Sequence, residues 1–379
     1  MKLILSRPLL SMCISILLLL SCSPKTTTYG PDIYTQDTAF KVVGYLSSES
    51  FNLIDDFELD KLTYLNLAFG NPDNEGNLIC SGNADVKPIV KKGHEAGLKV
   101  YISLAGGGSP DQNLWKSLLH PKNRSSFINK IITYVDENNL DGVDVDIEGN
   151  LLPTIGKLYN PFVTGLRNAL HAKGKGISSA LGAVDVDNAI SKEALDAYDF
   201  INVMVYDKTG VWKPGEVGPH SPYSYAEEAI KFWTEERKIP AQRIILGVPF
   251  YGFDFTPPAR YISFKEIVDQ NPSFGYVDSS GMKYYNGIPT IVKKVELAKK
   301  NLGGVMIWEI AYDIKGDMSL LRALNQTVKT ANCPVSTFYK DEDGDGFGNL
   351  IKPIEACQAP EGYVSNSADT DDSNAKIHP

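Results

Sequence analysis

Basic charge, histidine and cysteine are all scarce in this chain of 379 residues. Lysine and arginine number 37 against 46 acids, for a net charge of −9. No cationic excess is left to neutralise phosphates, so a nucleic-acid partner is not expected. The five histidines, at 94, 120, 171, 220 and 378, include no pair at metal-ligand spacing. That excludes a zinc hydrolase built on a His-x-x-x-His helix. Five cysteines in so long a chain are no disulfide scaffold, and a core of this size needs none. The chain has no Gly-x-Ser-x-Gly elbow and no phosphate-binding Gly-Lys-Ser/Thr loop. Its chemistry is left to carboxylates, hydroxyls and aromatics. The apolar stretch Leu9–Leu20 is too short to span a bilayer, which takes roughly 20 residues.

That stretch follows Lys2 and Arg7 and has the form of an export signal. It ends in Leu19-Leu20-Ser21-Cys22, which resembles a bacterial lipoprotein box. The resemblance implies a signal peptide over 1–21, a lipid on Cys22 and a place in the cell envelope, at the outer membrane. The alternative is a plain cleaved signal, secretion, and an incidental cysteine. The polar residues 22–38 then read as a tether. Cys333 and Cys357 lie close enough in sequence to pair in an oxidising compartment, whereas Cys80 has no evident partner.

Eight apolar, β-branched runs recur: Phe40–Leu46, Leu62–Phe69, Leu98–Leu104, Leu140–Glu148, Gly176–Val184, Asp199–Tyr206, Ile244–Phe250 and Gly304–Ile310. Helical patterns separate them. Leu158, Phe162, Leu166 and Leu170 repeat every four residues, one apolar helix face. Strand–helix alternation calls for a parallel sheet with helices outside. Eight units over residues 39–330 fit a closed (β/α)8 TIM barrel of the α/β class, with a doubly wound open sheet as the alternative. In such a barrel the site lies at the C-terminal ends of the strands.

The fourth run reads Leu140-Asp141-Gly142-Val143-Asp144-Val145-Asp146-Ile147-Glu148. With side chains alternating at period two, Val143, Val145 and Ile147 face the helices, and Asp144, Asp146 and Glu148 face the barrel interior. Three inward acids are costly unless used or paired. Crowding pushes protonation upward, so at least one should carry a proton near neutrality. Glu148 is last, at the mouth, placed to give a proton to a leaving oxygen. A buried ion-pair network or a carboxylate metal site would be the other uses, but the remaining runs supply neither inward bases nor further ligands.

Asp-Gly-x-Asp-x-Asp-x-Glu resembles the signature of glycoside hydrolase family 18, the chitinase family. Ser103-Leu104-Ala105-Gly106-Gly107-Gly108 is similar to the family's Ser-x-Gly-Gly, with Ala105 at the first glycine position. Met204-Val205-Tyr206-Asp207, continued to Trp212, is similar to its Met-x-Tyr-Asp and following loop. Gly247–Gly252 and Gly304–Trp308 also look like family sequence. The resemblance implies Glu148 as general acid/base, Asp146 orienting the substrate acetamido group with Tyr206, and Asp144 tuning Asp146. It implies a sugar floor at Trp308, contacts from Tyr45, Phe69, Ser103, Met204, Asp207, Trp212 and Tyr251, and a cis Trp308–Glu309 peptide. The expected reaction is hydrolysis of β-1,4-linked N-acetylglucosamine polymers, with the substrate's acetamido oxygen as nucleophile and no catalytic cofactor. The alternatives are an endo-β-N-acetylglucosaminidase acting on N-glycan core chitobiose, which uses the same ladder, and a non-hydrolytic chitin-binding lectin. The chain is expected to act as a monomer. The α+β insertion that many chitinases carry between strands seven and eight is expected to be absent or vestigial.

Residues 331–379 form a separate, acidic extension; from 341 onward it holds nine acids and two bases. Asp341, Asp343 and Asp345, with Gly346, match the front half of a calcium loop, but Lys352 stands where an EF-hand needs Glu. Asp369, Asp371 and Asp372 could complete the shell. The pattern resembles thrombospondin type 3-like Asp-rich repeats, which implies calcium; a solvated acidic tail is the alternative.

Overall fold

The computed structural model describes residues 29–376 apart from 109, 185–189, 214, 331–335, 357–358 and 361. The signal segment, Cys22, Cys333 and Cys357 lie outside the described residues. Eight parallel strands form the barrel: β1 Lys41–Ser47, β2 Tyr64–Pro72, β3 Lys99–Ala105, β4 Gly142–Asp146, β5 Gly176–Gly182, β6 Phe200–Met204, β7 Ile244–Pro249 and β8 Gly304–Trp308. Each pairs with its sequence neighbour, and β1 closes the ring by pairing both β2 and β8, with Val43 opposite Tyr64 and Lys41 opposite Gly304. The chain thus forms a (β/α)8 TIM barrel.

The alternation along each strand separates two apolar layers. Val143, Val145 and Ile147 join the larger one, between sheet and helices. The helix Tyr159–His171 buries Phe162, Val163, Leu166 and Leu170 against it, the face its four-residue repeat marks out. Inside the barrel, Val43, Tyr45, Tyr64, Tyr101, Phe200 and Met306 fill the lumen, so it is packed rather than open. Gly142 and Gly176 leave the room that the Tyr101 ring occupies.

Two expectations change. Residues 29–38, read as part of a tether, lie against the N-terminal end of the barrel. Tyr34 stacks on His171 at 4.4 Å, Asp32 pairs with Arg167 at 2.8 Å, and Tyr64 Oη donates to Asp37 at 3.0 Å. The insertion before β8 is small but present. Tyr251–Asp254, Arg260–Ser263, Ser279–Ser280 and Lys283–Tyr284 make a four-stranded antiparallel sheet, backed by the helix Phe264–Gln270. Strands of two to four residues are too short to show a period in sequence. The acidic extension holds a three-stranded antiparallel sheet of Ser336–Lys340, Asn349–Ala356 and Tyr363–Val364. Cys80 is buried and unpaired.

Candidate active site

The inward phase of β4 stacks the three acids, and their surroundings differ at each level. Asp144 is fully buried (0% exposed). Its Oδ2 accepts from Tyr45 Oη at 2.6 Å and Ser103 Oγ at 2.8 Å; its Oδ1 accepts from Ser178 Oγ at 2.6 Å and Asn202 Nδ2 at 3.2 Å. Four neutral donors satisfy the carboxylate, although burial still holds its pKa above the ordinary aspartate range. Asp146, one level up, is buried too, and its Oδ1 has no hydrogen-bond partner. Burial first, then the charges of Glu148 and Asp144, push it well above the aspartate range. Glu148, half-buried at the mouth, is pushed up to about 7 by burial and by the charge of Asp207. Asp146 and Glu148 therefore retain at least one proton between them near neutrality, on groups that open into one pocket.

The pocket brings together most of the expected residues. Asp146 and Glu148 form one side; Met204, Tyr206, Asp207 and Tyr251 face them; Tyr45, Phe69 and Trp308 supply the aromatic surface. Tyr206 Oη meets only the Met306 thioether, at 3.7 Å. A thioether is a weak acceptor, and burial keeps the phenol protonated, so this hydroxyl is free to donate to a ligand. Asp207 sits at φ 61° and its Oδ1 accepts from Tyr251 Oη at 2.5 Å. The Trp308–Glu309 peptide is cis, as is Ala68–Phe69. The Glu309 carboxylate accepts from Ser47 N at 2.6 Å and Ser47 Oγ at 3.1 Å, tying the end of β8 to the end of β1. The Trp308 indole stacks on Phe69 with ring centres 5.6 Å apart.

Two expected contacts fall elsewhere. Ser103 lies beneath the floor, where its hydroxyl serves Asp144. Its inward position on β3 is one level too deep to reach a ligand. Trp212 is 52% exposed outside the pocket, edge-on to Phe253 of the insertion at 5.2 Å. Its loop turns it onto a sheet that was not anticipated. Trp233, in a helical pattern, is buried, and its indole donates to Gly182 O at 3.2 Å.

Other functional residues were not singled out. Ser178 and Asn202 hold Asp144, and both stand at inward positions of β5 and β6, where a polar residue is itself a signal. Gly107 lines the pocket, and a Cβ there would come within 2.9 Å of Glu148 Oε1. Ala105 adopts φ 73°, which explains why a glycine suits that position.

In the acidic extension, one carboxylate oxygen each from Asp341, Asp343 and Asp345 lie within 4.8 Å of one another, as do oxygens of Asp343, Asp369 and Asp372. The Oδ2 atoms of Asp343, Asp345, Asp369 and Asp372 are buried without a hydrogen-bond partner, and Asp372 is only 9% exposed. Converging oxygens lacking donors suit a hard divalent cation. Asp371 belongs to neither group; its Oδ1 accepts from Ser373 Oγ at 2.6 Å.

Comparison with known proteins places this geometry. Residues 41–313 match the family described as Glycosyl hydrolases family 18. Among solved structures, the GH18 chitinase ChiB from the chitin utilization locus of Flavobacterium johnsoniae is 40% identical, with a TM-score of 0.73 over 77% of this chain and 94% of that one. A chitinase from Bacteroides thetaiotaomicron is 26% identical, with a TM-score of 0.70 over 77% and 97%. A chitinase-like effector of Moniliophthora roreri is 30% identical over 232 residues, 53% of this chain and 56% of the relative. The chain spans just over half the length of such curated relatives.

Proposed function

The chain belongs to glycosyl hydrolase family 18, and from that premise we propose that it hydrolyses β-1,4-linked N-acetylglucosamine chains, as in chitin, with retention of configuration. One observation carries this reading: Glu148, an acid at the mouth whose pKa burial raises, lines the same pocket as a buried, unpartnered carboxyl oxygen on Asp146. The similarity to chitinases of known structure supports the substrate class. Among the described residues, no second free carboxylate lines the pocket opposite the ladder; Asp207, the other acid there, is engaged by Tyr251.

The substrate supplies the nucleophile. Asp146 accepts the acetamido N–H and Tyr206 donates to the acetamido oxygen, which holds that oxygen beneath the anomeric carbon. Glu148 gives its proton to the glycosidic oxygen as the C–O bond breaks and the acetamido oxygen bonds to C1. Asp146 offsets the positive charge that develops on the acetamido nitrogen, and the anionic Asp144 below reinforces it. Glu148, now a carboxylate, takes a proton from water, which attacks C1 from the opposite face and restores the acetamide. Two inversions leave a β product. Trp308 supports the sugar ring throughout. The test is hydrolysis of N-acetylchitooligosaccharides beside a high-mannose glycopeptide. Cleavage of the glycopeptide alone would replace this reading with the endo-β-N-acetylglucosaminidase one, and binding without cleavage with the lectin one.

Two further readings complete the proposal. Calcium would be held by Asp341, Asp343, Asp345, Asp369 and Asp372, ordering the extension without entering catalysis. A lipid on Cys22 would anchor the chain in the cell envelope. The docking of residues 29–38 at the N-terminal end of the barrel would then leave the pocket facing away from the membrane. Mass spectrometry of the mature N-terminus and its loss in Cys22→Ser would test the anchor.

A further inference from the structure

The helix Ile288–Asn301 buries Ile291, Lys294, Val295 and Ala298 on one face. These are positions i, i+3, i+4 and i+7, the stripe an amphipathic helix fills with apolar residues. Lys294 occupies one of them and is 0% exposed. Its Nζ donates to Ser221 O at 2.6 Å, Ser221 Oγ at 2.7 Å and Asn286 Oδ1 at 2.8 Å. All three protons are used, and all three acceptors are neutral. Burial pushes its pKa down to about 7, against the opposing pull of Asp278. A buried ammonium without a carboxylate in contact is costly, where an apolar side chain would pack freely.

What Lys294 grips leads to the pocket. Ser221 Oγ–H in turn donates a hydrogen bond to Val205 O, next to Tyr206 in the chain. Asn286 Nδ2 donates to Ser221 O at 3.0 Å, closing the cluster. The adjoining His220 is fully buried. Its Nε2 lies 3.2 Å from Tyr251 O and its Nδ1 3.5 Å from Asp207 Oδ1 and Asp207 N. Its carbonyl accepts from Lys208 N at 2.9 Å. The dipeptide His220-Ser221 therefore bonds to both flanks of Tyr206, at Val205 and at Asp207. Lys294 holds that dipeptide by main chain and side chain together.

We propose that Lys294 is a positioning residue, which acts through Ser221 and His220 to hold Tyr206 and Asp207 in register with Glu148. This rests on the glycosidase reading of the pocket. Lys294 touches no substrate. Its role is to keep the wall opposite the acid from shifting, and misplacement of reacting groups by about 1 Å can cost about 10²-fold in rate.

The experiment compares the full chain with Lys294→Met on a soluble N-acetylchitooligosaccharide. The variant is expected to fold, with the acceptor left open at Asn286 Oδ1 lowering its urea midpoint and the loss of a buried charge offsetting part of that. Its kcat is expected to fall by about 10- to 100-fold, with KM nearly unchanged. The groups facing Glu148 are Asp146 from β4, Tyr206 and Asp207 after β6, Tyr45 from β1 and Tyr251 after β7. Of these, Asp207 is the group held by the relay whose charge raises Glu148, so its displacement should move the alkaline limb of kcat/KM to lower pH. Asn286→Ala, which keeps the lysine and removes one acceptor, should give a smaller loss of the same kind and serves if Lys294→Met does not fold. A folded variant with wild-type kcat and an unmoved alkaline limb would overturn the role. A wild-type chain without hydrolytic activity would instead overturn the reading of the pocket, and the positioning role with it.

Discussion

Replacing Glu148 by Gln is expected to lower turnover steeply and to stabilise the protein in a pH-dependent way. In the folded chain Glu148 sits at about 7, against an ordinary value of 4.5. Between those values the folded chain keeps a proton that the unfolded chain has released. Stability contributed by the protonated acid is fully present below 4.5 and is lost as pH rises through 7. At about 1.4 kcal/mol per pH unit, the interval amounts to about 3 kcal/mol. Glutamine does not titrate and escapes this loss. Asp146 adds in the same direction, because the Glu148 charge helps to hold its pKa up. Urea unfolding of both proteins from pH 4.5 to 8 should show the stability difference widening in favour of Glu148→Gln by about 3 kcal/mol, mostly between pH 5 and 7. Turnover should fall by about 10²- to 10⁴-fold or more. A stability difference that stays constant across this range would refute the raised acid.

Tyr206→Phe should lower kcat by about 10²-fold with the fold intact, since the hydroxyl is expected to bond the acetamido oxygen and otherwise meets only a thioether; steady-state kinetics and circular dichroism check this. Gly107→Ala places a Cβ 2.9 Å from Glu148 Oε1, so the carboxyl must swing; kcat/KM should drop by about tenfold or more, while the urea midpoint barely moves because only a side-chain end is displaced. Asp343 belongs to both carboxylate groups of the extension. Asp343→Asn should therefore weaken calcium binding, read by isothermal titration, by at least about tenfold, and leave hydrolysis of soluble oligosaccharides unchanged.

The barrel was legible because each of its strands is a run of apolar, β-branched residues long enough to stand apart from the helical repeats between them. The ladder was legible for a related reason: at period two, Asp144, Asp146 and Glu148 fall on one face of a strand whose other face is wholly apolar. Ser178 and Asn202 share that phase on their own strands and were readable by the same rule, but a single polar residue stands out less than three acids. Trp212 could not be placed. The direction of a loop side chain depends on what it packs against, here Phe253 on a strand of four residues. The docking of residues 29–38 was hidden for another reason. It rests on isolated contacts, such as the Tyr34–His171 stack and the Asp32–Arg167 pair, and these have no period. The Lys294 relay was equally silent, since a lysine in a helix reads as solvent-facing until its neighbours are known.

The central claim is that Glu148 works with the substrate's own acetamido group, held by Asp146 and Tyr206. It is tested most directly by NMR of the anomeric protons during the first minutes of N-acetylchitooligosaccharide cleavage, before mutarotation. A parallel reaction would use a substrate with glucosamine at the reacting subsite. The β anomer is expected as the first product, with no cleavage of the deacetylated substrate. An α anomer appearing first, or efficient cleavage at the unacetylated sugar, would contradict it.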